Sequence, residues 1–249
     1  MSRDCDASTY ERVSDPQVEW AREVMERLPL RGDETVLDAG CGTGRVTLML
    51  LERLPRGRVT AVDSAPSMIE AAREALAGRA TVIQSDLVDL ELDELVDAVF
   101  SNAVFHWILD HDRLFERLHA VLRPGGLLVA QCGGKGNVAR FLAVADAVAA
   151  EPPFAEHLGG STRPVRFADA EETRAKLEAA GFVDVETSLW ERPAVPREPL
   201  AFMRTVCLRP QLEDLPPDLR EDYVAAVAER VGPRPTIDYV RLNIAARRG

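Results

Sequence analysis

Lysine is nearly missing from this chain: Lys135 and Lys176 are the only two among 30 basic residues, which face 41 Asp and Glu for a formal net charge of −11. That deficit argues against a nucleic-acid groove, which needs a basic stripe. Cysteine is also sparse. Cys5, Cys41, Cys132 and Cys207 stand far apart, without CxxC or Cys/His ligand spacing, so they read as free thiols of a reducing cytoplasm. No metal triad stands out, which predicts metal independence. No apolar run approaches the roughly 18 residues of a membrane span, and the opening MSRDCDASTY is too polar for a signal peptide. No internal repeat or low-complexity stretch is apparent. What remains is ordinary globular composition, 46% hydrophobic and 29% charged, with an Ala/Arg/Val/Leu bias that reads as a GC-rich bacterial genome.

The run Val36-Leu37-Asp38-Ala39-Gly40-Cys41-Gly42-Thr43-Gly44 is the most informative segment. A buried strand ends on a carboxylate, and three glycines at alternate positions turn the backbone into a helix starting near Arg45. The spacing is GxGxG. The dinucleotide fingerprint GxGxxG would need a glycine where Arg45 stands. An acid at the mouth of such a turn suits a positively charged ligand, such as the sulfonium and amino groups of S-adenosylmethionine (SAM).

Around this run, strands are expected at 35–39, 58–62, 81–84, 96–101 and 127–131, the last entered by a Pro124-Gly125-Gly126 turn. Helical stripes lie between them, and a further amphipathic helix at 17–28 precedes the first strand. Beyond Gln131 come a glycine-rich loop, a helix to about Ala150, a helix at 168–180 and a strand at 182–190. A proline-rich stretch with helices near 200–208 and 218–231 follows, then a last strand at 236–246. The alternation predicts a doubly wound α/β sheet with right-handed crossovers. The expected layout is one domain over 1–249. It has an N-terminal helical segment (1–32), a ligand-binding core (33–135) and two insertions, 136–166 and 192–235, acting as a lid.

In such sheets, ligands bind at the C-terminal ends of the strands. Asp38, Asp63, Asp86 and Ser101-Asn102 all fall at such ends. Asp63, about twenty residues past the glycines, suits the two hydroxyls of a ribose. Ser85-Asp86 suits an exocyclic adenine amine, and Met68 suits either the adenine ring or the core. Cys41 reads as a small loop residue, since no histidine partner is near it in sequence.

Taken together, these segments resemble class I SAM-dependent methyltransferases. Leu37–Gly44 matches that family's glycine loop, Ala61-Val62-Asp63-Ser64 its ribose-binding acid loop, Ser85-Asp86-Leu87 its adenine-edge position, and Leu122-Arg123-Pro124-Gly125-Gly126 its turn before strand five. The segment Ser101-Asn102-Ala103-Val104-Phe105-His106-Trp107 is similar to the trans-aconitate methyltransferase group, which esterifies small carboxylic acids. The resemblance implies a seven-stranded, mainly parallel Rossmann-like sheet with an antiparallel last strand. It also implies SAM as cofactor, S-adenosylhomocysteine as product, and a cofactor site built from Asp38, Gly40, Cys41, Gly42, Gly44, Asp63, Ser64, Met68, Ser85, Asp86, Leu87 and Asn102.

Methyl transfer requires an aligned nucleophile and exclusion of water. A carboxylate acceptor needs no base, whereas a hydroxyl or amine does, and histidine suits that task. His106 and Trp107, following strand four, are the expected acceptor-site residues; His106 is either a base or a hydrogen-bond donor to a carboxylate. Tyr10, Gln17, Arg140 and Arg204, with Arg163 and Arg166, are further acceptor candidates. His111, at Asp110-His111-Asp112, reads as a helix start. The expected activity is O-methylation of a small organic acid. The alternatives are O-, N- or C-methylation of another small metabolite with His106 as base, and a non-catalytic SAM- or nucleoside-binding module. Expected partners are a small-molecule acceptor, no nucleic acid and no membrane, in a cytoplasmic monomer or homodimer.

Overall fold

A computed structural model describes residues 15–159 and 165–249, with 15–18 as backbone only. The strands are β1 (Thr35–Ala39), β2 (Arg58–Asp63), β3 (Thr81–Gln84), β4 (Val96–Asn102), β5 (Leu122–Gly133), β6 (Phe182–Glu191) and β7 (Val240–Arg248). They form one sheet in the order β3-β2-β1-β4-β5-β7-β6. Every pair from β3 to β5 is parallel, and β7 runs antiparallel between β5 and β6. The expected Rossmann-like sheet with an antiparallel last strand is thus present. Chain order reverses between β1 and β4, and this opens the crevice where open α/β sheets hold ligands.

β1 and β4 are almost wholly buried because both sheet faces are covered, so they read as continuous apolar runs. On one face Phe105, α4 (His111–Val121) and α7 (Ala170–Ala179) pack through Leu114, Phe115, Leu118 and Leu177 against Leu242 and Ile244. On the other, α1 (Asp15–Glu26) and α2 (Arg45–Glu52) bring Ala21, Val24 and Leu50 onto Val36, Ala98, Phe100 and Val129. α3 (Pro66–Leu76) starts with proline in its first turn, where the missing N–H costs nothing. Asp110 caps α4 by accepting from Arg113 N at 3.0 Å, which makes His111 the helix's first residue, as expected.

A second apolar cluster makes a helical cap. It joins α5 (Ala139–Ala149), α6 (Ala155–Leu158), α8 (Pro199–Phe202), α9 (Arg209–Asp214) and α10 (Pro217–Val231) to Trp20 and Tyr239. The two stretches expected as insertions therefore pack on each other. Tyr223 sits at the centre, fully buried, and its hydroxyl donates to Ala145 O at 2.9 Å. No helix among the described residues is long and apolar enough to cross a membrane.

Three local expectations are corrected. β5 starts at Leu122 and not after the Pro124-Gly125-Gly126 turn, because Leu122 already pairs with Val96 and the following residues bulge before Leu127 meets Ala98. β7 covers Val240–Arg248, later than 236–246, since its partners on β5 and β6 extend to Leu127 and Phe182. The helix expected at 200–208 breaks into α8, a wide π turn closed by Leu208 N on Met203 O at 2.8 Å, and α9. Pro210 lacks the N–H that would continue a helix through this point.

If Tyr223 holds the cap together, Tyr223→Phe, which loses one buried hydrogen bond, lowers unfolding free energy by about 1 kcal/mol. Tyr223→Ala empties the site and costs about 3–5 kcal/mol. Urea titration measures both, and equal effects would show that ring packing contributes nothing beyond the hydroxyl.

Candidate active site

The glycine loop is held against β2: Gly40 N and Cys41 N both donate to Val62 O, at 2.8 and 2.9 Å. Gly40 has φ +88°, and a Cβ there would stand 2.1 Å from Val104 Cγ2, so neither the backbone nor the space admits a side chain. Gly42 is different. Nothing lies within 4 Å of its would-be Cβ, so this turn of the loop faces open space that a ligand can occupy. Gly44, left-handed at φ +82°, starts α2 and packs against Leu76 and Ala72 of α3.

Asp63 ties this loop to the next. Its Oδ2 accepts from Gly42 N at 3.0 Å and its Oδ1 from Ala65 N at 2.9 Å, while each oxygen keeps a lone pair for a further donor. Ser85 N in turn donates to Asp63 O at 3.0 Å, fixing the loop after β3. Asp86 is exposed and caps the short 3₁₀ turn Leu87–Asp89 through Val88 N at 3.2 Å, with Leu87 buried beneath. Ser64 is exposed, and Gln84 Nε2 donates to its carbonyl at 3.3 Å. Met68 is buried on α3 beside Ile69, which packs with Cys41 and Ala61.

Asp38 is buried, and Thr47 Oγ1 donates to its Oδ2 at 2.6 Å. Burial pushes its pKa to about 7, Thr47 opposes the shift, and the neighbouring Asp63 adds to it. Burial likewise raises Asp63, against the pull of the backbone N–H groups of Ala65, Gly42 and Ser64. Two carboxylates kept short of charge balance beside an open glycine turn fit a cationic ligand. Burial, with Asp38 and Asp63 alongside, holds the Cys41 thiol protonated, so it is no nucleophile.

The residues expected at the acceptor lie one strand away. Asn102 ends β4 opposite Gln131, and Ala103 at φ 62° turns the chain so that its N–H donates to Gln131 O at 2.7 Å. A 3₁₀ turn, Phe105–Trp107, then anchors Phe105 in the core. His106 is half-buried between Trp107 and Phe167, with ring centroids 5.1 and 5.9 Å away. Gly133 N donates to His106 Nδ1 at 3.3 Å, and Arg166 N donates to His106 O at 2.8 Å. Loss of hydration, then Arg241 and His111, drive the His106 pKa down to about 3. Trp107 is 46% exposed. His111 is occupied structurally, its Nε2 bonded to Phe105 O at 3.0 Å.

The side chains of the arginines expected at the acceptor are otherwise engaged or exposed. Arg204 is held by Glu221 and Arg166 by Glu172, while Arg140 is exposed with its backbone N on Asp238 Oδ2 at 2.8 Å. Tyr10 and Arg163 lie outside the described residues, and Gln17 is placed only as a backbone position on α1. Phe167 and Arg241, both close to His106, were not among the expected residues. Phe167 carries no motif. Arg241, in contrast, is a charge inside an otherwise alternating strand, a signal open to reading.

A doubly wound sheet with an acid-lined glycine turn at its reversal point defines a SAM-dependent methyltransferase. Comparisons agree. A family described as "Methyltransferase domain" matches residues 36–126. A trans-aconitate 2-methyltransferase of Methylobacterium nodulans is 33% identical over 98% of both chains, and one of Variovorax paradoxus is 30% identical over 92% of this chain and 89% of its own. The chain belongs to the methyltransferase family that includes these enzymes. The solved structure of Haemonchus contortus phosphoethanolamine N-methyltransferase 2 with S-adenosylhomocysteine shares the fold at TM-score 0.64 and 18% identity, covering 97% of this chain and 56% of that one.

An acid with a raised pKa favours the folded protein in its protonated form; that contribution is full below pH ~4 and fades as pH rises through 7. A bound cation reverses the preference. The affinity for SAM therefore rises about tenfold between pH 6 and 8. Asp38→Asn removes this pH dependence, weakens SAM at pH 8 by about a hundredfold, and raises the melting temperature of the ligand-free protein there. Calorimetry at both pH values decides; an unchanged pH dependence in Asp38→Asn would sink the assignment.

Proposed function

We propose that the chain methylates a carboxylate oxygen of a small organic acid. The observation that carries this reading is the hydrogen bond from Gly133 N–H to His106 Nδ1. A ring nitrogen that accepts a backbone N–H is unprotonated, so the proton of the neutral ring sits on Nε2. His106 then offers the pocket a donor and not a base. Abstracting a proton at Nε2 would require the other tautomer, which sets two N–H groups against each other. A base whose pKa has fallen to about 3 would in any case hold a proton too weakly to help a hydroxyl or amine.

An acceptor in this site must therefore bring its own charge, as a carboxylate does at neutral pH. SAM, when bound, supplies an electrophilic methyl group with a neutral thioether as leaving group. The carboxylate oxygen forms the new C–O bond as the C–S electron pair returns to sulfur, and no proton moves. The chain's task is alignment and exclusion of water: Nε2–H of His106 orients the carboxylate, and Phe167 and Trp107 wall it. The names of the two relatives support an acid of this kind.

With SAM saturating, kcat is expected to stay within a factor of two from pH 6 to 9, and His106→Gln, which keeps a donor, to retain at least a tenth of it. Mass spectrometry should find a methyl ester cleaved by mild alkali. An alkali-stable product, or a rate climbing with pH and lost a thousandfold in His106→Gln, overturns the proposal.

A further inference from the structure

Phe105 opens the turn that carries His106 and Trp107, and α4 holds it twice. Its buried ring meets the Phe115 ring edge-on, with centroids 6.1 Å apart. Its carbonyl oxygen lies 3.0 Å from His111 Nε2. His111 and Phe115 stand four residues apart on α4, so they share one helix face, and their own rings are 5.6 Å apart. A carbonyl only accepts, so the proton of the neutral His111 ring sits on Nε2 and Nδ1 keeps a lone pair. Phe105 O also takes the Ile108 N–H at 3.0 Å, which engages both of its lone pairs.

The carbonyls on either side are held as well. Trp107 N donates to Val104 O at 2.8 Å, and Arg166 N donates to His106 O at 2.8 Å. Those two bonds come from backbone groups, which almost any sequence supplies. The bond from α4 to Phe105 O comes from a side chain and depends on its identity. His111 is 2% exposed, and among the described residues nothing bonds its Nδ1. A buried ring with a nitrogen left over is costlier than an apolar ring of the same size. Packing alone therefore does not account for a histidine here, whereas the Nε2 bond does. The helix behind it is a firm support: Asp110 caps its first turn, and Leu114, Phe115 and Leu118 are wholly buried.

We infer that His111 is a positioning residue for methyl transfer: its Nε2–H fixes the Phe105 carbonyl and thereby aims His106 and Trp107. This rests on the reading that their turn faces the methyl acceptor, and it adds the residue that sets the turn. His111 is covered by protein and acts through the backbone of Phe105. The Gly133 N–H reaches His106 Nδ1 only at 3.3 Å, so that bond depends on where the turn places the ring. Misplacing an aligned group by about 1 Å costs on the order of a hundredfold in rate. The loss from an unsupported turn therefore falls on kcat, and binding at the glycine loop is unchanged.

The test uses the full chain with three substitutions. His111→Gln keeps an N–H at about the reach of Nε2, His111→Asn holds its amide too close to the helix to meet Phe105 O, and His111→Phe keeps a ring without a donor. The acceptor used is trans-aconitate, the acid in the names of the two relatives. The Phe and Asn variants are expected to lose kcat at least thirtyfold, with S-adenosylhomocysteine affinity within threefold of wild type. The Gln variant is expected to keep at least a third of kcat. Equal losses in the Gln and Phe variants overturn the inference, and so does a loss of S-adenosylhomocysteine affinity that matches the loss of kcat. Nitrogen-15 NMR of histidine-labelled protein reads the same bond without turnover. Wild type is expected to show His111 as the Nε2–H tautomer, and His111→Phe to shift His106 from one tautomer to a mixture of two. An Nδ1–H tautomer at His111 overturns the inference even if no variant folds, as does an unchanged His106 signal in a folded Phe variant. A wild type that forms no methyl ester overturns the proposed reaction instead, and the NMR result then decides the role of His111.

Discussion

Val104 stands where a side chain at position 40 would have to be. That single steric exchange connects the two halves of the site. Gly40 belongs to the loop that closes β1, and Val104 precedes the turn that carries His106. Because the sheet reverses its strand order between β1 and β4, these two loops flank the crevice. A missing Cβ on one and a branched side chain on the other let them touch. The distance between the cofactor half and the acceptor half is then set by packing, which is stiffer than a hydrogen bond between loops. Asp63 repeats the device on the other side of β1, joining the glycine loop to the loop after β2 through two backbone N–H groups.

The crevice is also polar in charge. Asp38 and Asp63 place carboxylates on its β1–β2 side, while Arg241 and Arg27 set guanidinium groups on the buried amides of β5 and β7. The first side is costly alone, because burial strips Asp38 of its hydration. A cationic methyl donor bound on the first side relieves that cost. Stability given up at such positions is expected of a site built for ligands.

Much of this was legible in the sequence because the parallel core is local and periodic. Strands buried on both faces read as apolar runs, and each ended on a polar residue that the fold places at the crevice. The glycine spacing separated this loop from a dinucleotide turn, though it could not say that Gly40 yields to Val104 while Gly42 stays open. Where tertiary context decides, reading failed. The bulge at Pro124-Gly125-Gly126 looks like a turn until Leu122 is seen to pair with Val96. The π turn at 203–207 looks like ordinary helix until Pro210 interrupts it. Arginines were sought in the loops of the lid, where Arg204 and Arg166 turn out to be bound by Glu221 and Glu172. A buried arginine stands instead in a strand, with Arg241 and Asn243 on one side of β7 against Leu242 and Ile244 on the other. A polar face on a strand with no exposed side needs a reason, and alternation alone does not ask for one.

His106 shows how backbone geometry can select chemistry. Among the described residues no carboxylate is recorded on the imidazole; a strand-end N–H sets its tautomer, and that N–H is where it is because β5 continues to Gly133 to pair with β7. Gly133 also has no room for a side chain, since a Cβ would stand 2.8 Å from Phe167, the ring that stacks on His106. The register of the antiparallel strand, the glycine and the aromatic wall therefore converge on one proton position. A histidine so held cannot alternate between base and acid, and a nearby buried arginine further disfavours its charged form. An enzyme that needed a base here would have to break the β5 contact first. One that accepts a ready-made anion uses the site as it stands.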